Sequence, residues 1–227
     1  MTQVTLDGLV KIYPTKVPGV NTPVINGINL SVQTAEMLVV QGPSGSGKTT
    51  LLRMIYGIEK PSAGTISIEG IGLINSLSEQ DLTHYRKSKV GFVQQDSIKN
   101  LVQSWSVLEN IELKLLLRGF KLDKKINQEI IEVLEVLDLV DLKNIRVNKL
   151  SGGEIQRTAI ASVLVDPPPL ILADEPTSEL DSRTTKAIGD YLSYFNKKNR
   201  ITFIVVTHDP LLVSYGTNVL TIKDGMI

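Results

Sequence analysis

The ten residues 41–50, Gln-Gly-Pro-Ser-Gly-Ser-Gly-Lys-Thr-Thr, constrain what this chain can fold into more than any other stretch. They fit the spacing G-x-x-x-x-G-K-[ST], with Gly42, Gly47, Lys48 and Thr49 at the fixed positions, and the apolar run Met37, Leu38, Val39, Val40 leads into them. Glycine has no side chain, so successive backbone N–H groups can wrap inward around an anion while the following helix aims its positive N-terminal end at the same point. Lys48 adds a full charge where the β- and γ-phosphates of a nucleoside triphosphate would lie, and Thr49 offers a hydroxyl to Mg2+. Pro43, Ser44, Gly45, Ser46 and Thr50 complete the cradle. Leu51, Leu52 and Ile55 follow at helical spacing, which predicts the buried face of a helix. A Gly/Ser-rich linker would lack this strand-loop-helix context.

A loop of this kind places the chain in the α/β class, as a P-loop NTPase core built on a mostly parallel sheet. The 227 residues suit one such domain with a helical insertion. Lys plus Arg and Asp plus Glu number 24 each, so the formal net charge is zero and no global basic field draws the chain to nucleic acid. There is no cysteine, which removes disulfides, thiolate chemistry and Cys-based metal sites. The first residues lack the basic start and apolar core of a signal peptide, and no run of about 18 apolar residues exists to cross a bilayer. The expectation is a cytoplasmic protein that reaches a membrane only through a partner.

Partial alternation over residues 3–13 and 24–32 predicts two strands, separated by a loop over 15–22 punctuated by Pro18 and Gly19 and ending before Pro23; together they form an N-terminal antiparallel β layer. Tyr13 closes the first strand, or it lies against a flat adenine ring; the residue alone leaves both open. Strands are expected at 65–69 and 90–93, with a polar helix over 78–87 between them. From 96 to about 149 the pattern turns helical, over 108–117 and 126–142, with Trp105 near the start of the segment. The expected division is a single domain, 1–227, with residues 1–95 and 150–227 as nucleotide-binding core and 96–149 as an inserted helical subdomain. Further on, a helix from Ser151 to about Leu164, a buried strand over 170–174, a helix over 182–196, an apolar strand over 201–207 and an edge hairpin over 219–225 complete the chain. The basic clusters 86–89 and 197–200 are read as solvated surface.

The chemistry depends on what stands around the γ-phosphate. Asp174 ends an apolar strand, where a carboxylate contact to Mg2+ belongs, and Glu175 could accept a proton from an attacking water or orient it. His208 ends another apolar strand, and a parallel sheet would bring it to the same rim. It either holds the water in line or is a satisfied strand-end histidine. Gln94 and Gln95 sit at a strand end, where an amide can complete the Mg2+ shell or simply be solvated. Ser151, Gly152 and Gly153 form a second anion cradle without a lysine, with Ser151 able to cap the helix that begins there. A second cradle makes sense if it serves the nucleotide held by another copy.

Taken together, these pieces resemble the ATP-binding subunits of ABC transporters over essentially the whole chain. Residues 150–157, Leu-Ser-Gly-Gly-Glu-Ile-Gln-Arg, are similar to the family's LSGGQ signature with Glu154 in place of Gln. The resemblance assigns Tyr13 to the adenine-stacking aromatic, residues 42–49 to Walker A, Gln95 to the Q-loop, and Asp174 and Glu175 to Walker B with its catalytic glutamate. It likewise assigns residues 178–181, ending in Asp181, to the D-loop and His208 to the switch histidine. The chain carries Gln94 where the family usually has an aromatic, and Glu179 where a small residue is frequent. Residues 115–119, 173–177 and 205–209 look most like the subunits of lipoprotein-release and macrolide-export systems.

The resemblance implies a Mg2+-dependent ATPase with Glu175, His208 and Lys48 as catalytic residues, and Thr49, Gln95 and Asp174 around the metal. It implies a head-to-tail dimer in which Ser151, Gly152, Gly153 and Glu154 of one copy reach the nucleotide of the other. It also implies a separate membrane permease on whose cytoplasmic face the dimer sits, with no nucleic acid partner. The alternatives are a soluble ATPase of the same family acting on nucleic acid or ribosomes, and a slow-turnover regulatory subunit.

Overall fold

The half-buried alternation at the start of the chain becomes a long strand, β1 (Thr2–Pro14), whose Val4, Leu6 and Leu9 face the core. The computed structural model describes residues 1–14 and 21–227. Strand β2 (Asn21–Gln33) runs antiparallel to β1, with β4 (Ala63–Ile68) on the other side and β5 (Gly72–Leu73) beyond it, giving the order β2-β1-β4-β5. Of the loop expected over 15–22, residues 15–20 lie outside the described residues. Its last two positions belong instead to β2, and Pro23 is paired opposite Ile12. A proline fits there because β2 is the outer strand of its sheet, where a missing N–H need not break a ladder.

The second sheet collects β3 (Met37–Gln41), β6 (Val90–Val93), β7 (Leu170–Asp174), β8 (Thr202–Val206) and β9 (Asn218–Thr221) in the order β6-β7-β8-β3-β9. All its pairings are parallel. Such a sheet is covered on both faces, which is why β7 and β8 read as unbroken apolar runs and are buried at every residue. The expected edge hairpin at the C-terminal end is corrected here. β9 pairs in parallel with β3, Val40 opposite Leu220, and the only antiparallel pairing after it among the described residues is the bridge between Lys223 and Met226. Asp224 and Gly225 do form a tight turn at positive φ, closed by that bridge, while the strand before it takes its ladder from β3.

The side chains of the parallel sheet divide the core. Leu38, Val40, Leu170, Leu172, Ile204 and Val206 face the antiparallel sheet, joined by Leu51, Leu52 and Ile55 of helix α1 (Lys48–Ile55). Ile171, Ala173, Phe203 and Val205 face the other way, onto α3 (Val107–Leu117), α4 (Lys124–Val136), α5 (Gly152–Leu164) and α6 (Ser182–Asn199). Helix α2 (Glu79–Ser88), capped by Ser78, precedes β6, and the short α7 (Pro210–Val213) follows β8 with Asp209 as its cap.

The helix expected over 126–142 stops at Val136. Asp138 takes a left-handed conformation, φ 52°, and a single 3-10 turn covers Val140–Leu142. Leu137 and Leu139 remain fully buried, so the apolar pattern persists although the helix does not. Of the basic clusters, Lys197, Lys198 and Arg200 are exposed as expected, whereas Arg86 is partly buried and donates to the Gly57 carbonyl at 3.1 Å.

Candidate active site

The carboxyl ends of β7, β8 and β3 converge on one cleft of about 620 Å3. The loop leaving β3 enters helix α1 through Gly47 without a side-chain cap and without an acidic residue in the first turn, which leaves the positive helix end uncompensated. Its shape depends on Gly42, whose φ of 150° few other residues adopt; a Cβ there would stand 3.1 Å from the Ile222 carbonyl carbon and overlap its oxygen. Gly45 also has positive φ, 78°, but a Cβ there would meet nothing within 4 Å among the described residues. The Lys48 ammonium crosses back over the loop, donating to the carbonyls of Gly42 and Pro43 at 2.8 Å each.

On the facing wall, Asp174 is 3% exposed and lies beside the Thr49 hydroxyl. Burial pushes its carboxyl above the usual range; the Thr49 hydroxyl opposes this, the Glu175 charge adds to it, and Arg53 and Lys48 pull the other way. Glu175 follows in a left-handed conformation, φ 49°, rare for a residue with a side chain. Its N–H donates to the Val206 carbonyl at 2.8 Å, so it stays tied to the end of β8. Two residues beyond Val206 stands His208, and its Nδ1 lies 2.9 Å from Glu175 Oε1. The imidazole is 80% exposed while the carboxylate is 14% exposed. That hydrogen bond, and the Glu175 charge behind it, hold the imidazole above its ordinary pKa.

Tyr13, Gly42, Ser44, Gly45, Gly47, Lys48, Thr49, Thr50, Gln95, Asp174, Glu175 and His208 therefore share one cleft. Pro43 and Ser46 belong to the loop but not to the cleft lining, and the Ser46 hydroxyl is buried without a partner among the described residues. Gln94 points elsewhere, donating to the Asn100 side chain at 3.0 Å. Val24 and Val206 line the cleft as well; nothing in their apolar strand context distinguishes them in the sequence from core valines.

A hard-oxygen donor set fits Mg2+: one buried carboxylate and the hydroxyl against it, with Gln95 also lining the cleft, leave further positions for phosphate oxygens and water. Among the described residues no group of three or more His, Cys, Asp or Glu side chains is placed to hold a metal by itself.

Ser151, Gly152, Gly153 and Glu154 do not border this cleft. They begin α5, where Ser151 is the cap and Glu154 closes a capping box: its Oε2 accepts from Ser151 N at 2.7 Å and Ser151 Oγ at 2.8 Å. Those bonds hold the Glu154 carboxyl below its ordinary pKa. Asp181 is likewise a cap, accepting from Thr184 N at 2.9 Å at the start of α6.

A family model described as ABC transporter matches residues 25–178. The uncharacterised ABC transporter ATP-binding protein MJ0796 of Methanocaldococcus jannaschii is 38% identical over 206 residues, 89% of this chain and 86% of that one. Its dimeric structure in a post-hydrolysis state bound to ADP and Pi superposes with a TM-score of 0.90 at 36% identity, covering 99% of this chain and 96% of the other. The bacitracin export ATP-binding protein BceA of Halalkalibacterium halodurans is 38% identical over 220 residues, 96% of this chain and 83% of the relative. The lipoprotein-releasing system ATP-binding protein LolD 1 of Rhodopseudomonas palustris is 34% identical over 222 residues, 98% and 96% of the two chains. With a phosphate-binding loop, a strand-end carboxylate pair and a strand-end histidine around one cleft, and with these relatives along its length, the chain belongs to the ABC transporter family as an ATP-hydrolysing, ATP-binding cassette.

Proposed function

We propose that this cassette powers a separate membrane permease of an export or mechanotransmission type, and that it works as a head-to-tail dimer whose two nucleotide sites are each shared between copies. The observation that carries the reading is the separation of its two anion cradles. Lys48, Glu175 and His208 gather in one cleft, whereas Ser151 and Gly153 open onto none of it. A chain built this way needs a second copy to bring the α5 cradle to its triphosphate. The dimeric structures of MJ0796 support that arrangement.

In the proposed cycle Tyr13 stacks on the adenine, and Lys48 with the loop N–H groups binds the phosphates. Thr49, Asp174 and Gln95 would hold Mg2+, which offsets charge on the phosphate oxygens when bound. Glu175 takes a proton from water as the water oxygen attacks the γ-phosphorus in line, the bridging P–O bond breaks and ADP leaves. His208 fixes the carboxylate through its Nδ1 contact. Lys48 and backbone N–H groups stabilise the charge of the transferred phosphoryl.

No described helix is long and apolar enough to cross a membrane. We assign membrane attachment to the permease, on its cytoplasmic face, through the inserted helical subdomain 96–149, where Trp105, Leu116 and Leu117 are exposed. Relatives named for bacitracin export and lipoprotein release support this class of partner.

The test is Glu175→Gln. Its ATP affinity should be retained, its turnover lost, and a dimer should accumulate on a sizing column with ATP. Normal hydrolysis by this variant would remove Glu175 from its role, and a variant that stays monomeric with ATP would contradict the shared site.

A further inference from the structure

One buried side chain ties the helix that carries the α5 cradle to the backbone of Glu175 within a single copy. Gln156, on the first turns of α5, is 2% exposed and uses both ends of its amide. Its Nε2 donates to the Glu175 carbonyl at 2.9 Å, and its Oε1 accepts from the Glu179 N–H at 3.1 Å. The donor and acceptor at fixed backbone groups leave the amide only one orientation. The Glu175 carbonyl also receives the Ser178 hydroxyl at 3.1 Å, so the turn from Glu175 to Glu179 is braced from within and from α5.

The start of α5 is pressed onto this same turn. A Cβ at Gly152 would stand 3.3 Å from the Glu179 carboxyl carbon and overlap an oxygen, and one at Gly153 would stand 3.2 Å from the Glu179 carbonyl oxygen. With so little slack, a displacement of Ser151, Gly152 and Gly153 is carried by helix and side chain to the backbone of Glu175. That backbone is already in a strained left-handed conformation that its surroundings must maintain.

We propose that Gln156 is a positioning residue for hydrolysis: it fixes the aim of Glu175 to the position of the α5 N-terminus, so that the phosphate engaging Ser151 and Gly153 in one site sets the carboxylate of the other. This rests on the reading that Glu175 handles the attacking water and that α5 serves the partner's nucleotide. Gln156 does not line the nucleotide cleft; it acts through Glu175.

The experiment measures steady-state ATPase, ATP affinity and thermal unfolding of the full chain carrying Gln156→Met or Gln156→Glu. Methionine keeps the bulk and removes both hydrogen bonds; glutamate keeps the acceptor for Glu179 and loses the donor to Glu175. Expected is a fall in kcat of roughly 10–100-fold, as for a misaimed catalytic group, with KM for ATP within about two-fold of wild type. Added to Glu175→Gln, Gln156→Met should cause no further loss in single-turnover rate, because the group it aims is gone. Wild-type kcat in both variants, an additive loss in the double variant, or unfolding of both single variants would each overturn the assignment. Should Glu175→Gln itself hydrolyse ATP normally, the parent reading fails, whereas an inactive Glu175→Gln beside fully active Gln156 variants refutes this inference alone.

Discussion

Gly42→Ala and Gly45→Ala place the same methyl group in the same loop, yet the structure sets them far apart. Both positions have positive φ, which costs an alanine about 1–2 kcal/mol. At Gly45 that is the whole penalty, since among the described residues a Cβ meets nothing within 4 Å. At Gly42 the Cβ also stands 2.9 Å from Ser46 Oγ and overlaps the carbonyl oxygen of Ile222, the residue just beyond β9 whose N–H is tied to the Gln41 carbonyl at 2.8 Å. Forcing extra volume into a packed site adds roughly 1–3 kcal/mol, so Gly42→Ala should cost about 2–5 kcal/mol in all. For a domain of this size each kcal/mol lowers Tm by roughly 2–4 °C. Thermal unfolding of the two variants beside wild type should therefore separate them by about 2–12 °C, with Gly42→Ala the lower. Gly42→Ala should also lose ATP binding by titration calorimetry, because shifting Gly42 moves both carbonyls that seat the Lys48 ammonium. If Gly45→Ala were as destabilising as Gly42→Ala, the loop would not be held by its contact with Ile222, and the reasoning would fail.

Two further expectations concern titration and capping. His208 should titrate by NMR with a midpoint above that of a free imidazole, and the midpoint should fall toward the ordinary value in Glu175→Gln, since the hydrogen bond and charge of Glu175 raise it. The sign follows directly: the charged pair is fully formed below the unfolded pKa and weakens as pH rises through the raised folded value, so its contribution is lost on the alkaline side; an unchanged midpoint in the variant would break the assignment. Ser151→Ala removes the hydroxyl from the α5 capping box and should cost about 1 kcal/mol in a melting experiment, while ATPase activity falls much further than that loss of stability accounts for. Wild-type turnover in Ser151→Ala would disconnect this cradle from catalysis.

What could be read in the chain beforehand was local or periodic. The loop at 41–50 carries its geometry in glycine positions, and the unbroken apolar runs of β7 and β8 announce a parallel sheet covered on both faces. From that alone Asp174, Glu175 and His208 had to reach one rim, as they do. Pairing partners were harder. The apolar stretch at 218–221 with its Lys-Asp-Gly turn suits a hairpin, and only the open side of β3, some 180 residues earlier, makes it a parallel strand. Helix α4 ends at a residue type that gives little warning, because Asp138 adopts positive φ where the apolar spacing continues. Gln156 left no signal either: on a helix a glutamine is usually solvated, and its burial follows from a turn that arrives from residue 175 onward.

The order β6-β7-β8-β3-β9 has a consequence for how the protein is made. β3, which carries the nucleotide loop, has both its neighbours at the far end of the chain, β8 and β9. While the protein is being translated, that strand waits unpaired until about 160 more residues have emerged, on the order of ten seconds at typical elongation speeds. The segment destined to grip the nucleotide is thus made long before it is secured, and a nascent chain halted before Thr202 should bind none.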